Sequence, residues 1–213
     1  MTQLFVKGFL FDMDGTLADS EGAIGVITER LCKKYGLNLA EVETFARGRR
    51  SAETIYHFVK TDPATALKEF DDAELAATDG IKEISGAGEF LAQLPVGSWV
   101  LVTSAGRELA GKRMAAAGLN VPPVVISSEC VSKGKPDPEG YLKGANALGI
   151  DPKELIVFED AASGINAALT CGAHLAVVGD SDAAQGREAF KIQSYHELTV
   201  MQHADGFIIS KKA

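Results

Sequence analysis

The stretch Phe9-Leu10-Phe11-Asp12-Met13-Asp14-Gly15-Thr16-Leu17-Ala18-Asp19-Ser20 runs an apolar segment into two carboxylates, a glycine and a hydroxyl. With the residues just before it, Val6 to Phe11 is rich in aromatic and branched side chains, the composition of a strand buried on both faces. Side chains alternate across a strand, so Asp12 and Asp14 are expected to point the same way as the strand runs out into Gly15, which supplies the bend. Two carboxylates so placed repel. The pair is tolerable if one carboxyl stays protonated or a cation sits between them, and either state is useful in catalysis.

Outward from this point the texture changes twice. From Glu21 to about Ile81, apolar residues such as Ile24, Ile27, Leu31, Ile55, Phe58 and Val59 recur at helical spacing with no comparable strand run, which predicts a helical insert bounded at residues 19–82. Within it, Ala46-Arg47-Gly48-Arg49-Arg50-Ser51 reads as a loop that could present cations. After Gly86, helices and strands alternate. Helices are expected over Glu89–Leu94, Arg107–Ala117, Pro138–Leu148 and Ala162–Cys171, and strands over Ser98–Thr103, Val124–Ser127, Leu155–Phe158, Leu175–Val178 and Phe207–Ile209. This order implies right-handed crossovers and a Rossmann-like parallel sheet, an α/β core of residues 1–18 and 83–213 with helices on both faces. Ligands of such sheets bind beyond the carboxyl ends of the strands. That rule gathers Asp12 and Asp14, Thr103 and Ser104, and Glu159 and Asp160 into one site.

The chain has 213 residues, 46% hydrophobic and 23% charged, ordinary values for a folded soluble protein. A formal charge of −8, from 21 Lys and Arg against 29 Asp and Glu, disfavours nucleic acid or an anionic membrane as the main partner. An anionic substrate must therefore be met locally, by a cation or a basic pocket. Cys32, Cys130 and Cys171 are odd in number and lack paired spacing, which suggests neither a disulfide framework nor a zinc site and suits a reducing cytoplasm. No apolar run approaches membrane-spanning length, and Asp12 and Asp14 interrupt the one N-terminal candidate for a leader.

Four segments in order, Asp12-Met13-Asp14-Gly15-Thr16, Val102-Thr103-Ser104, Lys133-Gly134-Lys135-Pro136-Asp137-Pro138 and Phe158-Glu159-Asp160-Ala161, resemble the motifs of the haloacid dehalogenase superfamily. Within it the chain is similar to small sugar-phosphate and glycerol-phosphate phosphatases that carry a helical cap between the first and second motifs. The resemblance implies a phosphatase in which Asp12 attacks phosphorus to give an aspartyl-phosphate and Asp14 serves as acid and then base. It also implies Thr103 and Lys135 as donors to the phosphoryl oxygens. Glu159 and Asp160 crowd the same sheet edge, and such a carboxylate set calls for a hard divalent cation, with Mg²⁺ suited to oxygen ligands. By resemblance Asp12, the main-chain carbonyl of Asp14 and Asp160 bind it, with Glu159 contributing directly or through water.

Thr16, Ser104, Arg49 and Arg50 are candidate substrate contacts, although the Gly48-Arg49-Arg50-Ser51 loop matches its counterpart in relatives only loosely. The implied substrate is a small phosphorylated metabolite, a sugar or polyol phosphate. A phosphosugar mutase uses the same aspartyl-phosphate and stays open as a reading, as does an inactive protein that keeps the fold to bind a partner. A metal-free dehalogenase is disfavoured by Asp14 and the acidic pair. Helix capping is an alternative for Glu159 and Asp160. The four histidines lack ligand spacing, Trp99 reads as core, and Gly15 and Gly164 read as close-approach or turn positions. A Lys135→Ala change is expected to cost activity more than fold.

Overall fold

Lys7 divides the first apolar run into two strands that join different sheets. In the computed structural model, which describes residues 3–212, β1 (Gln3–Val6) is followed by β2 (Gly8–Phe11) and a short β3 (Ala18–Asp19). Four helices come next, α1 (Glu21–Tyr35), α2 (Leu39–Ala46), α3 (Ser51–Phe58) and α4 (Pro63–Ala76), and then β4 (Lys82–Glu83). The remainder alternates: α5 (Ala87–Ala92), β5 (Trp99–Val102), α6 (Arg107–Ala116), β6 (Val125–Ile126), α7 (Glu139–Leu148), β7 (Leu155–Glu159), α8 (Ala162–Cys171) and β8 (His174–Val178). It ends in β9 (Phe190–Ile192), β10 (Leu198–His203) and β11 (Gly206–Lys211). Residues 1, 2 and 213, which the expected core bounds include, lie outside the described residues.

Six parallel strands form the main sheet in the order β6-β5-β2-β7-β8-β9. From β2 the chain winds to one side through β5 and β6, then returns to the other side through β7, β8 and β9. The carboxyl end of β2 is therefore the switch point where the crossovers diverge and leave a crevice. Strand alternation divides the core into two layers. Phe9, Phe11, Leu101, Ile156 and Phe158 join the cluster that also holds Phe90 of α5 and Met114 of α6. Leu10, Val100, Val102, Leu155 and Val157 join the cluster that holds Tyr141 of α7 and Ile165 of α8. Trp99 meets Phe11 edge to face at 5.6 Å in the first layer, as its position in the sequence suggests.

Three strand expectations are corrected. Phe207–Ile209 lies in β11, which pairs antiparallel with β1 and β10 in a separate three-stranded sheet. Its apolar residues alternate with half-exposed ones, and Phe207 and Ile209 pack into the first layer beside Phe9. Val6 belongs to that sheet too, pairing with Phe207. The parallel sheet gains its sixth strand instead from β9, whose three residues are too short a run to stand out in the sequence.

Between β3 and β4, which pair antiparallel, the helices α1 to α4 carry a small apolar cluster of their own centred on Leu31, Ile55, Val59 and Ala66. Asn38 caps α2 and Asp62 caps α4, each accepting a backbone N–H three residues on. No helix among the described residues is long and apolar enough to cross a membrane.

Candidate active site

Strand β2 ends at Phe11, and one more ladder bond, from the Asp12 N–H to the Phe158 carbonyl, at 3.1 Å, fixes Asp12 beside β7. Beyond it the chain closes a tight turn in which the Met13 carbonyl accepts the N–H groups of Thr16, Leu17 and Ala18. Gly15 sits in this turn at φ +80°, and a Cβ there would come within 2.4 Å of Asp160 Oδ2. Asp14 follows in this turn, past the end of β2, where no neighbouring strand of the main sheet holds it. The Asp14 carboxylate instead accepts Ser20 Oγ at 2.5 Å and Arg113 Nη1 at 3.0 Å on each oxygen.

The crowded carboxylates are Asp12, Glu159 and Asp160, each of which offers an oxygen within 4.8 Å of the other two. Glu159 ends β7 and is wholly buried. Its Oε1 accepts Lys135 Nζ and Tyr141 Oη, both at 2.6 Å, and its Oε2 accepts the N–H groups of Asp160 and Ala161 at 3.1 and 3.2 Å. Four donors occupy both oxygens, so Glu159 acts here as the post that orients Lys135. It does not cap α8, whose cap position is Ala161 with no side-chain bond.

Lys135 donates to Asp12 Oδ1, to Glu159 and to the Val102 carbonyl. Burial opposes its charge, but the Asp12 and Glu159 carboxylates outweigh that and hold the ammonium above its ordinary range. Burial pushes Asp12 up, with Glu159 and Asp160 adding to the rise and Lys135 opposing it. Burial and then the Glu159 charge push Asp160 up to about 7. One ammonium thus stands against three buried or nearly buried carboxyl groups. An all-oxygen donor set with surplus negative charge fits a hard divalent cation, which Asp12 and Asp160 have the free oxygens to hold.

The helix α8 reaches this cluster closely enough that a Cβ on Gly164 would lie 1.6 Å from Glu159 Oε1. The sequence reading of Gly164 as a close-approach position holds, and the neighbour is the carboxylate that orients Lys135. Gly164→Ala is expected to lower stability by about 3 kcal/mol through overpacking, read as a fall in the thermal unfolding midpoint.

The other candidates separate by what they touch. Thr16 is fully buried and donates to Asp160 Oδ1 at 3.2 Å, so its hydroxyl steadies a carboxylate instead of facing open space. Thr103 follows β5 and its Oγ1 accepts the Ala105 N–H at 3.1 Å. Ser104 donates to the Gly48 carbonyl at 2.8 Å, and Ser163 to the Arg47 carbonyl at 2.9 Å, docking the insert's loop on the core. Gly48, at φ +74°, permits that contact, since a Cβ would lie 2.3 Å from Ser163 Oγ.

Arg49 and Arg50, alike in the sequence, differ in role. Arg50 donates to Glu53 at 2.6 Å and to the carbonyls of Val131 and Ser132 at 3.3 and 3.4 Å, which ties the insert to the loop before Lys135. Arg49 lies over the Phe45 ring at 4.7 Å and borders the main cavity.

That cavity, 320 Å³, lies between core and insert. Asp12, Asp14 and Asp160 line its core side, while Val42, Ile55 and Phe70 line its insert side. The size suits one small metabolite. Arg113 and Glu74 border it as well, and the sequence reading missed both. The signal was present in α6, where Leu109, Ala110, Arg113 and Met114 form the buried stripe, so a charged residue sits among apolar ones at helical spacing.

Comparison with known proteins agrees with this architecture. The chain is 35% identical to the hexitol phosphatase A of Escherichia coli (strain K12) over 211 residues, 95% of this chain and 98% of that protein. It is 35% identical to the glycerol-1-phosphate phosphohydrolase 2 of Saccharomyces cerevisiae, over 79% of this chain and 73% of the yeast protein. Among solved structures, a β-phosphoglucomutase from Clostridium difficile superposes with a TM-score of 0.79 over 92% of this chain and 94% of its own, at 19% identity, a likeness of fold. A family model for haloacid dehalogenase-like hydrolases matches residues 9–178, the span that runs from the switch-point strand through the acidic end of β7 to β8, and the chain belongs to that family.

Proposed function

We propose that the protein hydrolyses small phosphomonoesters, most specifically a sugar or polyol phosphate, through an aspartyl-phosphate on Asp12. The observation that carries this reading is the buried Asp12 at the core side of the cavity, bound to Lys135 and within reach of Asp160. A carboxylate held so can attack phosphorus, with Lys135 beside it and Thr103 past the end of the neighbouring strand β5 to meet charge on the phosphoryl oxygens. Asp14 then protonates the departing alkoxide and later takes a proton from the attacking water. Asp12, Asp160 and the main-chain carbonyl of Asp14 would hold Mg²⁺. Bound there, the cation supplies charge neutralisation for the phosphoryl group.

The chain is read as a core of residues 1–18 and 83–213 beneath a helical cap of residues 19–82, whose docking excludes water from the cavity. Relatives named for hexitol phosphatase and glycerol-1-phosphate phosphohydrolase activity support a polyol or sugar phosphate as substrate. The free thiols of Cys32, Cys130 and Cys171 suit a cytoplasmic setting.

A phosphate-release screen of purified protein over metabolite phosphates, with Mg²⁺ and with EDTA, tests this. Release from polyol or sugar phosphates that is lost with EDTA and restored by Mg²⁺ is expected. Conversion of one sugar phosphate to its isomer without net phosphate release would favour the mutase. Full activity in EDTA would remove the metal from the reading. No release from any ester, with Asp12→Asn behaving as wild type, would leave a binding protein.

A further inference from the structure

Asp14 stands outside the strand ladder, so its side-chain partners must orient it. One is Ser20, at the start of α1. The other is Arg113 of α6, whose side chain is 3% exposed. Arg113 divides itself between two carboxylates: Nη1 serves both oxygens of Asp14, and Nη2 donates to Glu74 Oε1 at 2.7 Å. Glu74 belongs to α4 of the insert, is buried, and accepts Ser51 Oγ of α3 at 3.0 Å on its other oxygen. A continuous chain of contacts therefore runs from the insert through Ser51, Glu74 and Arg113 to Asp14.

Two further facts mark this bridge as more than general adhesion. Arg113 Nε is buried without a partner, so the guanidinium is held to serve the two carboxylates even though one donor goes unmet. The bridge also lies on the seam between α6 and α4, where Lys112 Nζ reaches the Leu75 carbonyl at 3.4 Å. If the insert leaves the core, Glu74 leaves with it. Arg113 then loses the partner that fixes its fork, and Asp14 loses a fixed donor.

We propose that Arg113 is a positioning residue that couples the seating of the helical insert to the placement of the Asp14 carboxylate, with Glu74 as its anchor on the insert. The inference rests on the reading of Asp14 as the acid that protonates the leaving group. It gives the insert a second task besides enclosing substrate: the acid is in place for the alkoxide when the insert is docked. In the step concerned, the bond from phosphorus to the ester oxygen breaks, its electron pair goes to that oxygen, and the Asp14 proton follows. Asp12 forms the new bond to phosphorus.

An acid misplaced by losing its anchor should matter most where the leaving group needs a proton. The test compares glycerol phosphate, whose alkoxide needs one, with p-nitrophenyl phosphate, whose phenolate does not. Glu74→Gln is expected to lower kcat on glycerol phosphate by about 10², to change KM by about threefold or less, and to lose at least about tenfold less on the aryl ester. Arg113→Lys keeps the charge and loses the fork, and should show the same selectivity. Equal losses on the two esters in both variants, or no loss on glycerol phosphate, would overturn the coupling while leaving the phosphatase reading intact. A wild-type protein inert toward every ester of the metabolite screen overturns that reading and this inference with it.

Discussion

Replacing Asp12 with Asn is expected to cut phosphate release from any substrate by a factor on the order of 10⁴ or more, while the protein stays folded. Asn keeps the shape and loses the nucleophilic oxygen, and an amide cannot form the acyl-phosphate. The fold should tolerate the change because Lys135 retains two other acceptors, Glu159 at 2.6 Å and the Val102 carbonyl at 3.3 Å. Burial already pushes the Asp12 carboxyl up, so a neutral group at this position relieves part of a desolvation cost. The check has two readings on one sample: a thermal midpoint within a few degrees of wild type, and the absence of a covalent phosphoryl label when turnover of a ³²P substrate is stopped by denaturation. Wild type should carry the label on Asp12. A variant retaining more than about one per cent of the rate would point to another nucleophile.

What the sequence made legible is what depends on local pattern. The parallel sheet follows from alternating apolar runs and helices, and the gathering of Asp12, Glu159 and Asp160 follows from their positions at and just past the ends of β2 and β7. Where a side chain's direction is set by a tight turn or a distant partner, the sequence misleads or stays silent. Asp14 is two residues from Asp12, and strand alternation aligns them on paper. Both do line the cavity, but the partners that hold the Asp14 carboxylate, Ser20 and the Arg113 side chain 99 residues away, cannot be read from that alternation. Arg49 and Arg50 are neighbours of one chemical type, separated in role by the carbonyls of Val131 and Ser132 that only the fold brings near.

The antiparallel sheet of β1, β10 and β11 shows the same limit at larger scale. Val6 and Phe11 sit in one apolar run, and nothing local says that Lys7 marks a change of partner. The change follows from register. Lys7 donates its N–H to the Glu154 carbonyl at 2.7 Å, at the point where β2 enters the parallel sheet beside β7, while Val6 stays paired with Phe207 of β11.

Loss of Lys135 is expected to damage both stability and turnover, and here burial alters what the sequence alone implies. A lysine between Gly134 and Pro136 reads as a near-surface cation, so activity would carry most of the cost. In the fold its side chain is 6% exposed, against 8% for Asp12 and none for Glu159. Removing one member of a buried ion pair leaves uncompensated charge and costs about 3–5 kcal/mol. Lys135→Met, which keeps volume and removes the ammonium, should therefore lower the thermal midpoint as well as abolish phosphate release. Glu159 retains Tyr141 and two backbone donors, so the deficit falls mainly on Asp12, which loses its lysine partner. The pH dependence separates this cause from lost packing. With Lys135 gone, the influence that opposes the rise of the Asp12 carboxyl is absent, so its folded value climbs further above the unfolded one. A carboxyl raised in the folded state loses stability as pH rises from the unfolded value, about 4, toward the folded one. In chelator, the midpoint of Lys135→Met should trail wild type most at neutral pH and recover part of that gap near about pH 5. A gap that stays constant across this range would assign the loss to packing instead of charge.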